Sequence, residues 1–208
     1  MMNLKIVSLL IACATAGTAI AADKEIGKGI DDRATQVMKS SFKERGQAKL
    51  DRLDPDETMA LCNKYPTGTL PRKVAKKIES INLKAIKLPA NGQLLGDWKA
   101  GEKVAQSGVG KQFSDNPANP SGGNCYACHQ LAPQELAYGN IGPSLYNYGK
   151  LRGNSKEIQQ YTFGKIYNAE AYSACSNMPR FGHSGILTEQ QIKDVVALLL
   201  DPESPVNK

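Results

Sequence analysis

Apolar residues fall at helical spacing in four stretches, and nowhere do they alternate long enough to suggest a strand. Near the end of the chain, Ile192, Val195, Val196 and Leu199 stand at i, i+3, i+4 and i+7. Thr188 with Gln191 three residues later is a capping-box pattern that starts this helix, and Asp201-Pro202 ends it. Asp97 caps a second predicted helix, 98 to about 106, with Gly101, Val104 and Ala105 on its inner side. A third runs from 72 to about 87. Val74, Ile78, Ile81 and Ile86 line its apolar side, Arg72, Lys73, Lys76 and Lys77 face outward, and Pro71 and Pro89 punctuate its ends. Ala34, Val37, Met38 and Phe42 mark a fourth. Asp54-Pro55 and Tyr65-Pro66-Thr67-Gly68 read as turns, and residues 108–124 form a loop crowded with Gly, Pro, Asn and Ser. The pattern predicts an all-α protein. Its character changes near residue 90, giving a polar helical N-terminal extension over 22–90 and a second domain over 91–208.

The chemistry of the second domain is written in Cys125-Tyr126-Ala127-Cys128-His129. This is C-x-x-C-H, the attachment spacing of a c-type haem. Two thiols add to the porphyrin vinyl groups as thioethers, and the imidazole after them reaches the iron. A zinc half-site would need more ligands, but there is no second C-x-x-C and the only other histidine is His183. A redox dithiol would want a βαβ setting, and none surrounds the motif. The expected cofactor is therefore one covalently attached haem c. A helix before the motif and an apolar helix at the far end are what a small class I cytochrome c needs, so 91–208 is expected to be a class I cytochrome c-like haem domain.

Residues 1–21 agree with that chemistry. Lys5 is their only charge, an apolar stretch starts at Ile6, and Ala19-Ile20-Ala21 fits the small-x-small cleavage rule of a signal peptide. The stretch is short, rich in Ala and Thr, and lacks stop-transfer charges, so no membrane anchor is expected. Cys13 lies inside the apolar region, away from that cleavage site, and is not read as a lipid-attachment residue. The expected compartment is the bacterial periplasm. Of five cysteines, Cys13 leaves with the signal and two take the haem, so Cys62 and Cys175 remain. In an oxidising compartment an even pair suggests a disulfide; two separate buried thiols are the other reading. The net charge of +6 falls by one when Lys5 is removed, a mild bias that does not suggest nucleic-acid binding.

A c-type haem needs a distal ligand, and Met178 and His183 are the candidates. Met178 is the only methionine after Met59 and sits ahead of the final helix, with Pro179 stiffening the backbone beside it and Gly182 permitting a tight reversal. A thioether favours ferrous iron and raises the potential relative to a second imidazole. His183 is the runner-up. On the other side, a proline carbonyl at Gly142-Pro143 is placed to accept the Nδ1 proton of His129 and fix its tautomer. Tyr146, Tyr148, Tyr167 and Arg180 are candidates to border the pocket or meet a propionate.

Three segments together resemble SoxX, the monohaem cytochrome c subunit of the SoxAX thiosulfate-oxidising complex. They are Gly-Asn-Cys-Tyr-Ala-Cys-His, Ile-Gly-Pro-Ser-Leu, and Ala-Tyr-Ser-Ala-Cys-Ser-Asn-Met-Pro-Arg-Phe-Gly. The run from Cys175 to Gly182 is the most specific part, and the resemblance covers roughly residues 91–205 but not the extension. It implies a class I cytochrome c fold with His129 and Met178 as axial iron ligands. It implies a heterodimer with SoxA, a second haem protein near whose haem thiosulfate sulfur is joined to a cysteine of the SoxYZ carrier. It further implies that this chain passes the released electrons to a small soluble cytochrome.

Three functions compete. The first is the electron-transfer subunit of a sulfur-oxidising complex, of the L-cysteine S-thiosulfotransferase type, not catalytic alone. The second is a freestanding electron-shuttle cytochrome, against which the long loop and the extension argue. The third is a catalytic haem protein, such as a peroxidase, which needs an open or displaceable distal position that Met178 argues against. No acid–base pair accompanies the haem motif, so no residue is expected to be catalytic by itself.

Overall fold

The computed structural model describes residues 32–66 and 69–208. The predicted signal peptide and the Thr67-Gly68 end of one predicted turn lie outside them. The chain divides into two compact units. The described part of the first is residues 32–45 with Lys49–Leu53. Residues 32–41 are helical (α1), and Leu50–Leu53 forms a single 3-10 turn. Ser40 and Ser41 hydroxyls donate back to the Val37 carbonyl. Val37 and Phe42 are each 58% exposed, so the expected apolar stripe is present but lies open.

The second unit, Gly46–Ala48 with Asp54–Lys208, holds α2 (Glu57–Asn63), α3 (Arg72–Lys84), α4 (Trp98–Gln106), α5 (Tyr148–Arg152), α6 (Lys156–Tyr167) and α7 (Glu189–Leu200). Short 3-10 turns cover Cys125–Ala127, Ala169–Ala171 and Pro205–Asn207. No β-strand occurs among the described residues. Residue 90, where composition changes, lies inside this unit.

The helices begin where the chemistry says they should. The Asp97 side chain accepts from the Lys99 amide, and Ser155 accepts from Ile158. Thr188 and Gln191 close a reciprocal capping box on α7, which satisfies amides that would otherwise lack partners. The third predicted helix stops at Lys84 rather than near 87, because the amides of Ala85 and Ile86 turn back in i→i−3 bonds to Asn82 and Leu83.

The core sits between α4, α6 and α7. Ile192, Val195, Val196, Leu198 and Leu199 pack with Leu131, Phe163 and Val206, all nearly inaccessible. Burying such a side chain contributes roughly 1.5–3 kcal/mol. Helices α4 and α7 touch at Gly101, where an added Cβ would stand 2.1 Å from the Asp194 carbonyl oxygen. The Asp194 carboxylate also accepts from the Asp97 amide, tying α7 to the start of α4. Helix α3 lies between α2 and the 169–171 turn, joined to both by a buried amide chain. Asn82 donates to Thr58, and Asn168 donates to Asn82 at 2.9 Å.

Candidate haem site

The motif is a single turn. Cys128 and His129 amides both donate to the Cys125 carbonyl, at 3.1 and 2.9 Å. Asn124 enters it with φ +45°, the left-handed conformation that asparagine tolerates. Two thiols and one imidazole are thereby brought to one short arc. Tyr126, between the two cysteines, is buried in the core at 5% exposure. Its hydroxyl donates to Glu102 on α4. Burial raises the Glu102 carboxyl above its ordinary value, against the Tyr126 and Gln106 hydrogen bonds that lower it. Cys125 packs on the core, and desolvation pushes its thiol up to about 12.

His129 is seated by backbone. Its Nδ1 lies 2.7 Å from the Pro143 carbonyl oxygen, which can only accept, so Nδ1 is the donor and, in the neutral ring, Nε2 keeps its lone pair. That is the tautomer an iron ligand needs. The Gly142 amide donates to Cys128 O and the Leu145 amide to Gln130 O, so the strip 142–145 is laced to the motif. An added Cβ at Gly142 would fall 2.1 Å from the His129 ring. The donor set and this glycine cradle fit a covalently held haem. Cys125 and Cys128 could carry the thioethers and His129 one axial position.

Met178 lies on the loop between α6 and α7 and packs against the same core as Cys125. Its amide donates to Ser176 Oγ. The next residues, Pro179 to His183, are tightly folded. Gly182 and His183 amides both donate to Tyr167 O at 3.0 Å, and Phe181 is buried. Gly182 presses on the Tyr167 ring, where a Cβ would come within 2.3 Å.

This loop is gripped from α2 at two points. Cys62 and Cys175 form a disulfide, with Cα atoms 5.6 Å apart. At the other end of α2, Asp56 accepts from the Met59 amide as N-cap with one oxygen. Its second oxygen accepts from Arg180 at 2.6 Å. Burial alone would raise the Asp56 carboxyl, but the Met59 amide, Arg180 and His183 outweigh it and hold it below its ordinary value. His183 Nε2 faces the same carboxylate at 4.0 Å, and its pKa is lowered by burial and by Arg180 against the pull of Asp56. Glu170 accepts from the Cys175 amide at 2.6 Å, and burial raises its pKa.

The structure gives several predicted pocket side chains other partners. Arg180 is committed to Asp56. The Tyr148 hydroxyl meets Thr162, the Tyr146 hydroxyl donates to the Lys208 carbonyl, and the Tyr167 ring stacks on Phe163. Sequence reasoning missed Asp56, Glu102 and Glu170. Only Asp56 had a local signal, as an N-cap residue ahead of Glu57 and an apolar helical run.

The cytochrome c family matches residues 107–201. A cytochrome c domain is thus present, and it implies covalently bound haem c; with the all-helical architecture, it gives a class I cytochrome c-like fold. The chain is also similar to a protein of Aquifex aeolicus (strain VF5) named an uncharacterized lipoprotein. The two are 44% identical over 126 residues, 59% of this chain and 58% of that protein. The chain thus spans somewhat more than half the length of the relative it matches. Among the described residues, no helix is long and apolar enough to cross a membrane.

Proposed function

We propose that this chain is the electron-relay subunit of a periplasmic thiosulfate-oxidising complex of the SoxAX kind, with His129 and Met178 as the axial ligands of its haem. When bound, haem c supplies a one-electron couple. The residues of the chain hold that couple rigid. Pro143 fixes the His129 tautomer, Gly142 seats the ring, and the doubly clamped 175–183 loop presents Met178. His183, the rival ligand, has Nε2 turned toward Asp56, which favours Met178.

The observation that carries the reading is the Cys175–Gly182 segment. Its sequence resembles SoxX, and in the structure it is the loop fixed to α2 by the disulfide and by Asp56. Joining a carrier cysteine thiolate to thiosulfate forms one S–S bond and releases two electrons. A single-haem relay takes these one at a time from a SoxA-type partner and hands them to a small soluble cytochrome. The test is purification from the native source, then a thiosulfate-coupling assay. A second haem protein should co-purify, and the isolated chain should accept electrons without coupling thiosulfate. Restoring the partner should restore turnover, and Met178→Ala should lower the potential and slow it. Full turnover by the isolated chain overturns the proposal, and absence of any bound haem partner leaves the freestanding shuttle.

The lipoprotein name of the Aquifex aeolicus relative favours a second reading of the N terminus. Leu10-Ile11-Ala12-Cys13 places small and aliphatic residues directly before a cysteine, a pattern suited to cleavage at Cys13 and acylation of its thiol. Intact mass of the native protein decides between a start at Ala22 and a lipidated Cys13.

A further inference from the structure

Nearly all the excess positive charge of this chain lies on one short segment. Residues 72–87 carry six cations (Arg72, Lys73, Lys76, Lys77, Lys84, Lys87) and one carboxylate, Glu79, a net +5 against +6 for the whole chain. The other 20 basic and 19 acidic residues almost cancel. On α3, Lys73, Lys76, Lys77 and Lys84 fall at i, i+3, i+4 and i+11, which is one helical face, and all are exposed. Of these, Lys77 pairs with a carboxylate, Glu57, at 2.8 Å. The opposite face is used internally, with Ile78 and Asn82 buried. At the end of the stripe Leu83 and Leu88 stand 53% and 48% exposed.

We infer that this face of α3 is the docking surface for an acidic electron-transfer protein. The inference rests on the relay reading and adds a location and a charge sign to its redox exchange. Three features favour a protein over an anionic membrane. The apolar side of α3 is already packed and cannot insert into lipid. The two exposed leucines are too few to anchor a helix, yet they suit the apolar centre of a small interface ringed by charge. A single-signed stripe on an otherwise balanced chain gives a dipole that orients an approaching partner, which a relay exchanging electrons in brief encounters requires. Helix α3 is also fixed beside the Met178 loop, through Asn82 to Asn168 and through α2 to the Cys62–Cys175 disulfide, so a partner seated there meets a rigid surface.

The test uses the haem-loaded chain with flavodoxin, a strongly acidic one-electron carrier, as the probe. Stopped flow measures the bimolecular electron-transfer rate constant, and calorimetry measures binding of oxidised flavodoxin, so docking is read even if no electron moves. The combined variant Lys73→Glu, Lys76→Glu, Lys84→Glu, Lys87→Glu should lose about tenfold or more in rate and binding. A control set, Lys99→Glu, Lys103→Glu, Lys150→Glu, Lys156→Glu, changes net charge equally and should lose clearly less. The wild-type rate should fall steeply as the screening length shrinks from about 30 Å at 0.01 M salt to about 8 Å at 0.15 M. The four Lys→Gln replacements, with melting temperature checked, guard against misfolding and should give an intermediate loss. Equal losses from both Lys→Glu sets overturn the inference, as does an unchanged rate in the α3 variant. Binding to phosphatidylglycerol vesicles that the α3 variant alone abolishes, with the flavodoxin rate unaltered, assigns the face to a membrane and also overturns it.

Discussion

The segment that seats His129 and the segment that bears Met178 are built on opposite principles. The first is held by its own neighbours. His129 meets Pro143 fourteen residues away, and the Gly142 amide meets Cys128 at the same separation. The second is held by residues from far up the chain. The disulfide spans 113 positions, and the Asp56–Arg180 pair spans 124. A local device needs only close backbone approach and is encoded in a few consecutive residues. A remote one depends on α2 being in place, and it can be altered without touching the haem-bearing turn. The two sides of the proposed iron site are thus separately adjustable.

The sharpest way to break the first segment is Gly142→Ala. Its Cβ would lie 2.1 Å from the His129 ring, and neither the ring nor the laced strip has room to give. We expect most of the haem-loaded protein to be lost, measured as haem absorbance per purified chain. The disulfide comes next. Cys62→Ser with Cys175→Ser should leave haem attachment intact but cost about 2–4 kcal/mol of stability, read by denaturant titration. It should also weaken the near-infrared band of methionine-ligated ferric haem.

The smallest effect belongs to Asp56→Asn, which keeps a good N-cap and removes the charge facing Arg180. The pair is partly exposed, so the loss at neutral pH should be at most about 1 kcal/mol. Because the folded-state carboxyl is held below its ordinary value, its contribution is present above the ordinary aspartate range and disappears as pH falls through the lowered folded value. Wild type and variant should therefore converge in melting temperature toward strongly acid pH. A gap that persists there would mean that the loss in the variant does not come from the Asp56 charge.

Legibility in the sequence divides the same way. The α7 capping box, the α4 cap and the Pro143 carbonyl are each a pattern within a few residues, and each is found in the structure. Counting cysteines suggests the Cys62–Cys175 pairing, but the geometry that brings the two together has no local signature. Arg180 reads as a propionate partner in the sequence because a loop arginine beside a haem ligand invites it. Its acid lies at the cap of a helix more than a hundred residues earlier, and nothing near Arg180 announces that. Glu102 is hidden for a related reason, since its partner Tyr126 occupies one of the unspecified positions of the haem motif.

The disulfide also encloses the haem motif between its two ends, and this bears on how the protein is made. The four cysteines among the described residues can pair in three ways, and only one joins Cys62 to Cys175 and so keeps Cys125 and Cys128 clear of both. In the folded chain, burial pushes the Cys125 thiol up to about 12, which works against thiolate formation there. Folded haem-free protein mixed with haem should react slowly at neutral pH, and faster when partly unfolded with the bridge intact. The core that holds the helices together thus also covers one of the two thiols of the haem motif.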